Sequence, residues 1–109
     1  MKAILIDPKA CSVSEVEWDG KLPSLYRELG CTCVEAIRLP RGGCVYLDEE
    51  GRLKGERYDL FYIEGEAGVY DIYGRSLVVG SDGEGGDVDS PFSVEEIQER
   101  VRFMILEIN

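Results

Sequence analysis

The sequence predicts one α+β domain over residues 1–109, with a mostly antiparallel sheet, a short helix after the first hairpin and a C-terminal helix packed on the sheet. Short runs of strand-forming residues, separated by turns rich in glycine, proline and aspartate, occupy most of the chain. Only two segments carry the apolar spacing of an amphipathic helix. A chain of 109 residues suits a single core, because domains most often contain about 100–150 residues.

The first elements are predicted to be a hairpin and a helix. Residues 2–6 form a continuous apolar run, which is typical of a central strand covered on both faces. Residues 12–18 alternate, with Trp18 on the buried side, and form the second strand of the hairpin. In residues 21–29 apolar side chains recur at i, i+3, i+4 and i+7, which indicates a helix that ends at Gly30.

The middle of the chain is predicted to consist mainly of strands. Residues 31–39 and 44–47 form a second hairpin around a turn that contains proline and two glycines. Residues 58–63 form either a strand or a short helix, because a short apolar run does not distinguish the two. Two more strands are expected over residues 69–73 and 75–79.

The last element is predicted to be a helix over residues 93–107. Ser93 and Glu96 have the spacing of a capping box, in which each side chain binds the backbone N–H of the other residue. The following apolar residues form one helical stripe. They are Val94, Ile97, Val101, Met104, Ile105 and Ile108.

The charge excludes some classes of function. There are 22 acidic and 12 basic residues, a formal net charge of −10, which argues against binding nucleic acid through its phosphates. No apolar run approaches the roughly 20 residues of a membrane-spanning helix, and the first residues lack a signal-peptide core. We therefore expect a cytoplasmic protein. Its acidity favours solubility, or an acidic face that competes for a protein surface which normally binds nucleic acid.

The histidine and cysteine content argues against an enzyme or a metal protein. Histidine is absent, which removes the commonest general base and metal ligand. The spacing of the four cysteines matches neither a zinc site nor a redox motif, so no cofactor or metal is expected. We interpret the cysteines as buried, reduced, small apolar residues, with Cys31 and Cys33 on one face of a strand.

The loop over residues 78–93 is rich in glycine and carboxylates, and it is the first candidate site. It departs from the EF-hand spacing, and it lacks the lysine of a phosphate-binding loop. The most economical interpretation is a turn between the last strand and the last helix. Its carboxylates are expected to be dispensable for folding and to contribute to partner binding. They are Asp82, Glu84, Asp87 and Asp89.

A second candidate is an anion site. The glycine turn after Arg38 is predicted to face the turn that carries Arg52, an arrangement in which arginines and backbone amides could hold a phosphate or carboxylate. The ordinary alternative is a solvated polar turn with no ligand. Tyrosines near this segment have the ring faces needed to stack a nucleobase. The candidate residues are Arg38, Arg41, Arg52, Lys54, Tyr58 and Tyr62.

Several stretches resemble one protein family. They are MKAILIDP, WDGKLPSLYRELGC, VEAIRLPRG, VYLDEEGRLKG, LVVGSDGEGG and SVEEI, in this order. This order is similar to the domain of unknown function 3846 family of phages and mobile elements. The resemblance implies a genomic habitat, and it implies no activity, cofactor or catalytic residue.

Together these observations predict a non-enzymatic accessory protein that acts by binding a host protein. The alternative is a protein that sequesters a nucleotide or another small anion. The two differ in what the surface should show: a continuous acidic face for a protein partner, or a closed pocket lined by arginine and tyrosine for a small ligand. The sequence leaves the oligomeric state open, and a homo-oligomer is possible.

Overall fold

The computed structural model describes residues 1–54 and 59–104, with the backbone only at Lys54. It contains an α+β fold with antiparallel strands, as the sequence predicted. The elements are β1 (Lys2–Asp7), β2 (Ser12–Glu17), α1 (Leu22–Leu29), β3 (Val34–Arg38), β4 (Gly43–Asp48), α2 (Gly51–Lys54), β5 (Leu60–Gly65), β6 (Gly68–Tyr73), β7 (Ser76–Ser81), β8 (Asp87–Val88), α3 (Val94–Arg100) and β9 (Val101–Phe103). None of the described helices is long and apolar enough to cross a membrane.

The large sheet has the strand order β2-β1-β7-β4-β3, and the short strand β8 pairs with the end of β7. Both predicted hairpins, β1 with β2 and β3 with β4, are confirmed. The apolar run of β1 lies at the centre of the sheet, and residues 3–6 are buried. Ile4 and Ile6 face one core and Ala3 and Leu5 the other, so β1 is covered on both faces.

Helix α1 covers one face of the large sheet. Leu25 and Leu29 are buried against it together with Trp18, whose indole N–H donates to the carbonyl of Lys21 at 3.1 Å. The helix ends where predicted, because Gly30 adopts a φ of 67° that favours glycine. Leu22, the first residue of the predicted stripe, remains 51% exposed, so the buried face of α1 begins one turn later.

A smaller sheet, with the order β6-β5-β9, packs on the opposite face of the large sheet together with α3. Phe61, Ile63 and Ile72 of the small sheet are fully buried in the core that also holds Ile4 and Val45 of the large sheet. The molecule is therefore layered, with α1 on one side and the small sheet on the other. The sequence did not distinguish strand from helix for residues 58–63. Residues 60–63 belong to strand β5.

The C-terminal helix is shorter than predicted. Its capping box between Ser93 and Glu96 is present and Ile97 is fully buried, but the helix ends at Arg100. Residues 101–103 form β9, which pairs with β5. Val101 and Phe103 contact the core while Arg102 is exposed, which is the alternation of a strand. The predicted extension of the helix is therefore wrong over residues 101–104, and the apolar positions Ile105 and Ile108 lie outside the described residues.

The cysteines are only partly as predicted. Cys31 and Cys44 are buried, whereas Cys11 and Cys33 are exposed. Cys31 and Cys33 precede β3 and lie in the connection from α1, where the carbonyl of Cys33 accepts the N–H of Glu49 at 3.1 Å. Strand alternation does not apply there, and the prediction that both thiols share a face was wrong for this reason.

Candidate functional site

The glycine and acid loop is stabilised from within by Asp82. Its Oδ1 accepts the backbone N–H of Glu84 at 2.7 Å and that of Gly86 at 2.9 Å. These two hydrogen bonds hold the pKa of Asp82 below its usual value. Gly83 adopts a positive φ of 81°, which lets the chain turn around the carboxylate. The loop is a turn held by its own hydrogen bonds, and Asp82, one of the predicted partner-binding residues, stabilises it.

Two further carboxylates of the loop join it to the large sheet. Asp87 accepts the hydroxyl of Tyr46 at 2.7 Å, and Asp89 accepts the backbone N–H of Lys2 at 2.8 Å. Ser90 donates to the carbonyl of Lys2 at 2.9 Å, which brings the segment after β8 beside the start of β1. The side chain of Glu84 is exposed and forms no hydrogen bond or ion pair with the described residues. The structure therefore gives a structural contact to three of the four carboxylates that were expected to be dispensable for folding. Glu84 is the fourth.

The predicted anion site is not assembled as expected. Arg38 and Arg41 lie at one end of β4 and Arg52 follows the other end; the six residues of β4 span roughly 20 Å. The expectation that the two turns face each other is wrong, because a single strand separates them. Tyr62 lies on β5 beside Arg102, at a third place.

Two of the predicted arginines already have partners. Arg41 forms an ion pair with Glu96 at 2.7 Å, donates to the carbonyl of Pro91 at 3.0 Å, and lies over the ring of Phe92 at 4.3 Å. Arg52 forms an ion pair with Asp71. Tyr58 and the side chain of Lys54 fall outside the described residues.

Arg38 lines a cavity of about 400 Å³ between the β3–β4 turn and the loop after β7. Gly42, Ser81 and Gly83 contribute to its walls, and Glu66 of the β5–β6 turn also lines it. Arg38 makes no ion pair within the described part of the chain. The Cys44 thiol also lines this cavity, and burial, followed by the nearby Asp87, raises its pKa to about 11. Such a thiol stays protonated at neutral pH and is a poor nucleophile.

A different cleft, which we call the inter-sheet cleft, opens where β3 and β4 of the large sheet meet β6 of the small sheet. Its volume is about 240 Å³. The residues that line it are Glu35, Ile37, Leu47, Asp48, Glu49, Gly51, Arg52, Tyr70, Asp71 and Tyr73. Four of these are carboxylates and one is an arginine, a formal excess of three negative charges.

The floor of the inter-sheet cleft follows from strand alternation. Glu35 and Ile37 are two residues apart on β3 and share a face, so the carboxylate stands next to an apolar side chain that packs on the core. Tyr70 packs on the same core from β6, over Gly65. A Cβ on Gly65 would lie 2.7 Å from the Tyr70 ring, so the glycine leaves the space that the ring occupies.

Helix α2 closes one end of the inter-sheet cleft. Gly51 packs so closely on β6 that a Cβ there would lie 2.8 Å from the carbonyl oxygen of Tyr73. This packing places the guanidinium of Arg52 5.6 Å from the centre of the Tyr73 ring and within 2.5 Å of an Asp71 carboxylate oxygen. The Arg52 side chain is still 66% exposed and that of Asp71 37% exposed, so the ion pair lies at the mouth of the cleft.

Sequence reasoning missed this cleft. Glu35 and Asp71 come from different sheets, and no local spacing relates them. The signal in the sequence was the run of three acidic residues directly after Leu47. Among the residues that the structure describes, no group of three or more cysteines and carboxylates is arranged to hold a metal ion.

Comparison with known proteins gives one match. No curated protein and no solved structure is significantly similar to this chain. The model of the family described as domain of unknown function (DUF3846) matches residues 1–102. The match covers nearly all of the chain and confirms the resemblance seen in the sequence. The protein therefore belongs to the DUF3846 family.

Proposed function

We propose that this protein is a non-enzymatic accessory protein of a phage or mobile element, which acts in the bacterial cytoplasm by binding a host protein. The observation that supports the proposal is the inter-sheet cleft, with its apolar floor and carboxylate rim. A protein interface commonly combines an apolar centre with a polar rim. The excess of negative charge at the cleft favours a partner with a basic surface.

The size of the inter-sheet cleft also favours a protein partner. Pockets for small molecules commonly occupy about 300–1,000 Å³. At about 240 Å³ the cleft is below that range, and it is open at its mouth. It suits one or two side chains of a larger partner better than a whole nucleotide.

The negative charge of the cleft rim affects how fast such a partner would bind. Glu35 and Glu49 are exposed, and neither forms an ion pair with a described residue. Exposed carboxylates attract a basic surface over a distance of about 8–10 Å at physiological salt, and they act mainly on the association rate. Binding is therefore expected to be salt-dependent.

The alternative, sequestration of a small anion, is favoured by one observation. Arg38 lines the cavity of about 400 Å³, which lies within the usual range of ligand pockets. A phosphate or carboxylate there would find one guanidinium and the nearby backbone of a glycine-rich loop. Glu66 on the same cavity opposes an anion, so we place this function second.

One experiment compares the two functions. The protein is immobilised and exposed to bacterial host lysate at low and high salt, and retained proteins are identified. In parallel, small molecules released on denaturation of the protein purified from host cells are identified by mass spectrometry. A double variant, Glu35→Gln with Glu49→Gln, removes two rim charges, and a matched control, Glu15→Gln with Glu95→Gln, removes two exposed charges elsewhere.

The proposal expects a host protein that the wild type and the control retain at low salt and that the rim variant retains weakly. Equal retention by the rim variant and the control would remove the inter-sheet cleft from the interface. A stoichiometric anion released from the wild type and absent from an Arg38→Gln variant, with no retained protein, would establish the alternative instead.

A further inference from the structure

We propose that the inter-sheet cleft receives an arginine side chain of the partner, and that Arg52 occupies this position in the unbound protein. The inference rests on the proposed function, because it names the group that a protein partner would insert. It also predicts a regulatory consequence: the partner has to displace an internal competitor.

The contacts of Arg52 show what the cleft recognises. Its guanidinium forms an ion pair with the carboxylate of Asp71 and lies 5.6 Å from the centre of the Tyr73 ring. The carboxylate binds the edge of a guanidinium, and the aromatic ring binds its face. The chain itself thus shows that this corner of the cleft accepts an arginine.

The exposure of the Arg52–Asp71 pair makes the displacement feasible. Side chains that are 66% and 37% exposed form an ion pair that solvent screens, and such pairs contribute little to stability. Helix α2 has four residues, and Gly51 packs on the backbone of Tyr73 in β6, a contact that does not involve the guanidinium. Arg52 can leave Asp71 while α2 stays in place.

The charge that remains is the reason for a second guanidinium to bind. Arg52 pairs with Asp71 at the cleft. Glu35 and Glu49 are exposed and make no ion pair with the described residues. An incoming arginine is therefore attracted by carboxylates that Arg52 does not neutralise.

The geometry favours arginine over lysine. A guanidinium is planar, stacks on a tyrosine ring and donates two parallel hydrogen bonds to one carboxylate, whereas an ammonium is a strongly hydrated point charge. The aliphatic stem of the arginine would lie along the apolar floor formed by Ile37 and Tyr70. Selectivity for arginine over lysine is a signature that general acidity does not produce.

The test uses three short acetylated and amidated peptides that are identical except for a central arginine, lysine or citrulline. Each is titrated into the full-length protein labelled with ¹⁵N, and amide shifts are followed by NMR. The variants are Arg52→Gln, which removes the internal competitor, and Arg27→Gln, which removes the same charge from an exposed position on α1. An Asp71→Asn variant removes the recognised carboxylate.

We expect the arginine peptide to shift the amides of Tyr70, Asp71 and Tyr73, the lysine peptide to bind more weakly and the citrulline peptide to have no effect. Arg52→Gln should tighten binding about two- to fivefold, the change that corresponds to loss of one exposed ion pair, while Arg27→Gln changes it less. Asp71→Asn should weaken binding.

Equal affinity of wild type and Arg52→Gln, or equal binding of the arginine and lysine peptides, would overturn this inference even if a host protein is still captured. The failures are distinguishable, because loss of a salt-sensitive host partner overturns the proposed function itself. The amide spectrum outside the cleft reports whether each variant keeps its fold.

Discussion

Replacing Gly43 by alanine is expected to destabilise the protein through contact with Phe92. A Cβ at residue 43 would lie 2.6 Å from Cε2 of Phe92 and 3.1 Å from Cβ of Leu39. Gly43 has a φ of −79° and a ψ of 162°, which alanine adopts without strain, so the cost arises from packing. Phe92 is fully buried, so its ring has little room to move away. Overpacking of this kind costs about 1–3 kcal/mol.

A double-mutant cycle isolates that contact. Phe92→Ala alone should lower the free energy of unfolding by about 3–5 kcal/mol, because it leaves a cavity. In the double variant the new methyl group enters space that the ring has vacated. The two changes should therefore cost less together than the sum of the single changes, by about 0.5–3 kcal/mol.

The measurement is urea unfolding followed by the fluorescence of Trp18, the single tryptophan. Domains are stable by about 5–15 kcal/mol, so Phe92→Leu serves as the milder partner if Phe92→Ala is too unstable to analyse. Additive costs, within about 0.5 kcal/mol, would show that residue 43 and the ring do not compete for the same space. A Gly43→Ala variant as stable as the wild type would refute the reasoning outright.

Three other outcomes are expected. Val101→Asp should lower the free energy of unfolding by more than about 3 kcal/mol, since it buries an unpaired charge in β9; an unchanged melting temperature would show that β9 does not pack as described. The exposed Cys11 and Cys33 should react rapidly with an alkylating reagent, and the buried Cys31 and Cys44 slowly. Uniform rates would contradict this difference in burial. Asp82→Asn should lower the melting temperature more than Glu84→Gln. Because the pKa of Asp82 is lower in the folded chain, its contribution is present above the ordinary value of 3.8 and is lost as the pH falls below it, so Asp82→Asn should weaken the loss of stability in acid.

Local features of this fold could be predicted and distant ones could not. Gly30 ends α1 and the Ser93–Glu96 box begins α3 because each signal acts within one helical turn. Val101 fits a helical stripe and a strand equally well, and its pairing with Ile63, far back in the chain, decides for the strand. The sequence thus predicted where α3 begins and not where it ends.

The candidate site follows the same division. The glycine loop was recognised as a turn, but the hydrogen bond from the backbone of Lys2 to Asp89 joins residues that are 87 positions apart in the chain. The inter-sheet cleft brings together Glu35 of β3 and Asp71 of β6, which follows from the packing of two sheets. Composition indicated an excess of acidic residues, and only the tertiary structure shows which of them line the cleft.

The position of β7 has a consequence for how the protein is made. This strand lies between β1 and β4, so a strand from late in the chain joins two hairpins from early in it. On the ribosome, the nascent chain exposes one unpaired edge of β1 and one of β4 until residues 76–81 emerge, several seconds later at about 5–20 residues per second. Closure of the large sheet is therefore a late event of high contact order, which slows folding. A fragment that stops before Ser76 would present two open strand edges, the arrangement that favours aggregation.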